Sequence, residues 1–160
     1  MDEMTMKDVP MLVRREIEAK IAAQIIDEFA KELGEEKTVE IAGRAIAKDA
    51  EAMGKAFAQA GNSMEDMVKN VVSAMGRGGG IVPEVREIGE DILRMDIVKC
   101  TYCDMYERIG LKKYGTLLSC ARDVSLFKGF NPAFRFTRTG TIMEGASCCD
   151  FCLERIPEGE

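Results

Sequence analysis

The sequence predicts an α+β protein in which a helical half precedes a mixed half. Two observations lead there. Through residue 75 the apolar side chains recur at helical spacing, whereas beyond residue 81 two segments alternate as strands do, Ile92 to Val98 and Phe134 to Ile142. Between them lies Gly76-Arg77-Gly78-Gly79-Gly80, which reads as a flexible connector. It lacks the GK[ST] ending of a phosphate-binding loop and follows no strand. A chain of 160 residues holds one domain with a real core, so residues 1–160 are taken as a single domain. Its parts are a helical half (1–75), the connector (76–80) and a cysteine-containing α+β half (81–160).

The elements follow in order. From Pro10 to Leu33 the residues Ile17, Ile21, Ile25, Phe29 and Leu33, with Ala22 and Ile26 alongside, make one helical stripe. Pro10 suits the first turn and Gly34 the stop. A second helix over about Lys37 to Ala60 has the face Ala42, Ala45, Ile46, Ala50, Met53, Ala56 and Phe57, small enough for close helix packing. A third starts at Ser63, with Asp66 three residues on as a capping-box signal. In the second half a strand over Ile92 to Val98 leads into a short helix over Thr101 to Ile109. A helix over Lys113 to Phe127 and a turn at Gly129-Phe130-Asn131-Pro132 come next. Two strands close the chain, Phe134 to Ile142 and Cys148 to Arg155.

Composition excludes several functions. The net charge of −6 makes nucleic acid an unlikely partner, because phosphate backbones are repelled and no basic stripe exists. No apolar run approaches the roughly 20 residues that span a bilayer, so no membrane is expected. The acidic, polar amino terminus has no signal-peptide core, and a cytoplasmic location follows as an expectation. Histidine is absent, which removes Ser-His-Asp and Cys-His machinery and histidine-based metal motifs. Catalysis is left to Cys, Asp, Glu, Lys, Tyr, backbone groups or a bound metal.

All six cysteines lie between Cys100 and Cys152. In a reducing compartment such clustering points first to metal ligands, with reactive thiols and plain buried cysteines as alternatives. Cys100 with Cys103 and Cys149 with Cys152 form two CxxC pairs, the plan of a four-thiolate site. Zinc or an iron–sulfur cluster would be the cofactor, and Cys120 is an alternative ligand. Strand alternation weakens the second pair: Cys149 shares a face with Phe151, and Cys148 and Cys152 take the other. A centre on Cys100, Cys120 and Cys149, extended by Cys103, is therefore at least as well supported. Cys120 and Asp123 stand three apart on one helix face, where the carboxylate can accept a proton or orient water.

A series of linked motifs carries a resemblance. Val98-Lys99-Cys100 with Tyr102 gives V-(K/R)-C-x-Y, and Leu118, Cys120 and Asp123 give L-x-C-x-x-D. Gly129 to Pro132 give G-F-x-P. Arg138, Thr139, Thr141, Met143, Gly145, Ala146, Cys149, Asp150 and Phe151 give R-T-x-T-x-M-x-G-A-x-x-C-D-F. Over its last ~60 residues the chain resembles the L-2-amino-thiazoline-4-carboxylic acid hydrolases. It is also similar to four-vinyl-reductase-type ligand-binding domains, related in fold to TRAPP transport subunits.

The resemblance implies helices packed on a small antiparallel sheet, a homodimer, and hydrolysis of a C=N bond in a small cyclic substrate, for which a cysteine-bound metal is expected to activate water. It implies Cys120, Asp123 and Glu144 as catalytic candidates, with Cys100 a second possible nucleophile. Arg138, Thr139 and Thr141 would bind substrate, with Arg138 or Lys99 on its carboxylate. Cys103, Cys148, Cys152 and Gly140 depart from the family pattern. The three extra thiols raise a second expectation: a non-enzymatic zinc- or iron–sulfur-binding sensor or accessory domain with a small-molecule pocket.

Overall fold

The computed structural model describes residues 8–157; the first seven residues of the amino-terminal segment read above, and the last three of the chain, lie outside them. Two long helices open the chain, α1 (Met11–Leu33) and α2 (Glu35–Ala58), joined at Gly34. Gly34 has φ +83°, a conformation that costs a side-chain-bearing residue far more. A composite helix follows: α3 (Met64–Asp66), a π-helical stretch (Met67–Val72) and α4 (Ser73–Gly76). Ser63 caps it as its sequence suggests: its hydroxyl accepts from Asp66 N, and the Asp66 carboxylate accepts from Ser63 N.

The second half begins with the hairpin β1 (Ile81–Ile88) and β2 (Ile92–Cys100). Then come α5 (Thr101–Arg108), a 3-10 turn (Lys112–Tyr114), a π-helical stretch (Thr116–Cys120) and α6 (Arg122–Phe130). The hairpin β3 (Phe134–Thr137) and β4 (Cys149–Arg155) closes the chain, with a 3-10 turn (Ile142–Glu144) between its strands. The sheet order is β1-β2-β4-β3, antiparallel throughout.

This is the expected α+β architecture of helices on a small antiparallel sheet. The register places Met95 against Phe151 and Ile97 against Cys149. Leu93, Met95, Ile97, Cys149, Phe151 and Leu153 therefore all turn into the core, as period-two alternation requires. The opposite face carries charge pairs, Arg86 with Asp96 and Arg94 with Glu87.

Several expectations are corrected. On α1 the row Ile17, Ile21, Ile25, Phe29 and Leu33 faces outward, and the helix instead buries Arg15, Ala19, Ala23 and Ile26. On α2, Ala45 and Ala56 are exposed. The close approach comes from glycine: a methyl group on Gly54 would sit 2.1 Å from the Leu126 carbonyl oxygen, and one on Gly129 2.2 Å from that of Glu51. These two glycines let α2 and α6 pack backbone to backbone.

Strand β1 was not foreseen, because Pro83 breaks its pattern; the residue is accommodated on an edge strand at a register shift between Val82 and Pro83. Strand β3 ends at Thr137 rather than continuing to Ile142. There the Asp150 carboxylate accepts from Thr139 N (2.9 Å), Thr139 Oγ1 (2.8 Å) and Gly140 N (3.0 Å), replacing ladder partners with a side chain. The single helix expected over Lys113 to Phe127 is split by the π-helical stretch just before Asp123. Among the described residues no helix is long and apolar enough to cross a membrane.

Candidate functional site

The start of α1, the junction of the π-helical stretch with α6, residues 138–143 and the inner faces of β2 and β4 enclose one cavity. Its space open to the centre of a water molecule is about 60 Å³. Met11, Met75, Ile97, Leu126, Met143 and Phe151 give it apolar walls. Into these walls project Arg15, Arg122, Asp123, Arg138, Thr141 and the thiols of Cys100, Cys120 and Cys149. A few converging polar groups in an apolar recess are what small-molecule sites look like.

Asp123 is the central acid. It is 7% exposed and accepts a hydrogen bond from Arg138 Nη1. Burial pushes its carboxyl up to about 6, although Arg138, Arg15 and Arg122 all pull it down. Arg138 is fixed in turn by a 2.9 Å bond from Nη2 to the Cys120 carbonyl oxygen, and by the Phe136 and Phe151 rings within 6 Å. The π-helical Thr116–Cys120 stretch, closed by Ala121 N donating to Thr116 O at 2.8 Å, leaves both Cys120 and Asp123 lining the cavity.

The three thiols in this cavity are kept protonated. Burial raises Cys100 to about 11 and Cys120 to about 12. Burial also raises Cys149, whose sulfur accepts from Ile142 N at 3.2 Å.

The remaining expected residues lie outside the cavity, apart from Thr141. Thr141 lines the cavity, but its hydroxyl donates to Glu144 Oε2 (2.7 Å) and accepts from Glu144 N (3.2 Å). Glu144 is exposed and closes that turn, and Thr139 is exposed and bonded to Asp150. The Asp150 carboxyl is partly buried, which works to raise it, but the bonds from Thr139 and Gly140 prevail and hold it below the usual range. Cys103 is buried beside the Ile142 carbonyl oxygen (3.9 Å), outside the cavity. Cys152 lies on the outer face of β4, opposite Cys149, so that CxxC pair does not converge. Lys99 is exposed on β2. Among the described residues no group of three or more Cys, Asp or Glu is spaced to hold a metal ion.

Arg15 and Arg122 escaped sequence reasoning. Both are more than nine-tenths buried. A signal existed for each. Arg15 leads the small-residue series Ala19 and Ala23 at four-residue spacing, and Arg122 sits inside the L-x-C-x-x-D motif next to Asp123.

The family model described as L-2-amino-thiazoline-4-carboxylic acid hydrolase matches residues 14–153. None of the curated proteins matches the chain. The match spans both halves and takes in every cavity-lining residue except Met11, and the chain belongs to that family.

Proposed function

We propose that this member of the L-2-amino-thiazoline-4-carboxylic acid hydrolase family hydrolyses the C=N unit of a small cyclic, anionic substrate, with water as the nucleophile and Asp123 as the base. The observation that carries the reading is a buried carboxyl near pH 6, held by one arginine inside an apolar cavity. An ionised Asp123 takes a proton from water as the water oxygen adds to the C=N carbon, and the substrate nitrogen gains a proton. Asp123 returns its proton to that nitrogen and then takes the proton of the added hydroxyl as the tetrahedral carbon collapses to a carbonyl; the carbon–sulfur bond of the ring breaks, and the sulfur leaves with the proton from Asp123. A base poised near neutrality is suited to these transfers.

Direct attack by Cys120 or Cys100 is less favoured, since both thiols hold their protons at neutral pH. Cys120 serves chiefly through its carbonyl, which anchors Arg138. The test is turnover of 2-amino-thiazoline-4-carboxylate. Asp123→Asn should lose at least about 100-fold in kcat. Cys120→Ser should stay within about tenfold of wild type, because its backbone carbonyl is retained. Loss of activity in Cys120→Ser together with a trapped thiol adduct would assign the attack to sulfur instead.

A second reading takes the three thiols Cys100, Cys120 and Cys149 that line this cavity, which as they stand are not spaced for an ion, as ligands that would close on one: a zinc or iron–sulfur accessory domain that binds a small molecule there. Elemental analysis and a visible spectrum of anaerobically prepared protein distinguish it from the hydrolase.

A further inference from the structure

The cavity holds three buried or half-buried arginines, and only one of them is bonded to the carboxylate inside it. Arg138 is committed to Asp123 and the Cys120 carbonyl. Arg15, from α1, pairs with Glu18, and Arg122, from α6, pairs with Asp49. These two acids belong to the surface: their side chains are 43% and 64% exposed and neither lines the cavity. Water screens such partners, so they compensate little of the charge on the cavity side. Each guanidinium carries five N–H donors in a planar fork, of which the acid partner takes one.

Arg15 and Arg122 are only 5% and 8% exposed and line the cavity, and none of their nitrogens is both sealed from solvent and unpartnered, so their remaining donors stay reachable by a ligand. The two guanidiniums are also near enough to repel: burial and the Arg122 charge both lower Arg15. Burying like charges together is costly unless an anion joins them. Asp123 is near enough to feel both charges, but its hydrogen bond goes to the third arginine, so one carboxylate faces three guanidiniums.

We infer that Arg15 and Arg122 form the anion subsite of this cavity and select a substrate bearing a carboxylate. They are specificity-determining residues, and they take the place expected of Arg138 or Lys99. Arg138 is instead the positioning residue of Asp123. The carboxylate of a five-membered heterocycle seated between the two forks satisfies their free donors, leaving the ring to lie among the methionines and Phe151 near Asp123. The inference rests on the hydrolase reading for its substrate, but its test does not.

The test is calorimetric binding of 2-aminothiazole-4-carboxylate, an aromatic isostere that resists hydrolysis, against 2-aminothiazole. Wild type should prefer the carboxylate by about tenfold to hundredfold, the scale of charge-assisted bonds to a buried arginine. Arg15→Met and Arg122→Met should lose that preference and leave binding of the neutral ring unchanged, whereas Arg138→Met should keep it. Where a methionine variant does not fold, the lysine variant carries the test. It retains charge but lacks the fork, and should weaken the carboxylate alone. The inference is overturned if wild type shows no preference or binds neither ring, if the Arg15 and Arg122 variants keep the preference, or if Arg138→Met abolishes it. A preference that depends on Arg15 and Arg122, in a protein that turns over no thiazoline, keeps the subsite and removes the hydrolase reading.

Discussion

Between pH 4 and 7 the state of the Asp123 carboxyl sets the charge of the cavity. Its folded value of about 6 lies above its ordinary 3.8. The folded protein therefore holds this proton more tightly than the unfolded chain. The resulting stability cost is absent below pH 3.8, grows as pH rises, and is complete above about 6. At 1.36 kcal/mol per unit it reaches about 3 kcal/mol. A buried carboxyl raised in this way, inside a cavity, is a candidate for proton transfer. If ionised Asp123 is the base, log kcat/KM rises with unit slope below about pH 6 and is level above it. A rate that falls above pH 6 would make the protonated form the working one. Asp123 and Cys120 were legible because three-residue spacing on a helix already puts them on one side. Arg15 was not, because a lone arginine in an amphipathic helix reads as a solvated face until tertiary packing buries it.

At the scale of elements, the contact of α2 with α6 fixes where the start of α6, and hence Asp123, can stand. That contact depends on two residues without side chains. Gly54→Ala would force its methyl against the Leu126 carbonyl, and Gly129→Ala would do the same to that of Glu51. The neighbours are backbone, so neither can swing aside. Each substitution should destabilise by about 1–3 kcal/mol or more, with a lowered Tm as the readout. Ala45 and Ala56 point to solvent, whereas Gly54 and Gly129 meet the facing backbone, which marks glycine rather than alanine as the basis of the close crossing. The sequence already placed Cys149 and Cys152 on opposite faces, because alternation within a strand is purely local. It could not show that β3 stops at Thr137 or that β1 exists. The first depends on a bond from a residue 11 positions away, and the second on a partner strand that tolerates Pro83.

At the scale of the whole molecule, the most legible pattern of the sequence proved to be the one its own core does not use. Val13, Ile17, Ile21, Ile25, Phe29 and Leu33 run along α1 at four-residue spacing, each between 45% and 60% exposed. Periodicity identified the helix correctly, but it cannot say whether a stripe meets the core or another chain. The core side of α1 is paved instead with Ala19 and Ala23, which let the helix sit close to the rest of the fold. A homodimer, expected from the family resemblance, would assemble through this face of α1. The exposed row amounts to on the order of 600 Å², close to the roughly 800 Å² per partner of a standard interface once the flanking lysine stems are added. Rows at four-residue spacing interdigitate with their own copies, and a two-fold axis needs only that one surface be self-complementary. Sedimentation velocity should therefore give a dimer for the wild type. Ile21→Glu with Phe29→Glu should give a folded monomer, since neither side chain is in the core. A monomeric wild type at micromolar concentration would leave this row without the partner argued for it. Because Arg15 projects from the opposite, buried side of the same helix, the monomeric variant should still bind a heterocyclic carboxylate, separating the surface that assembles the protein from the cavity that selects its substrate.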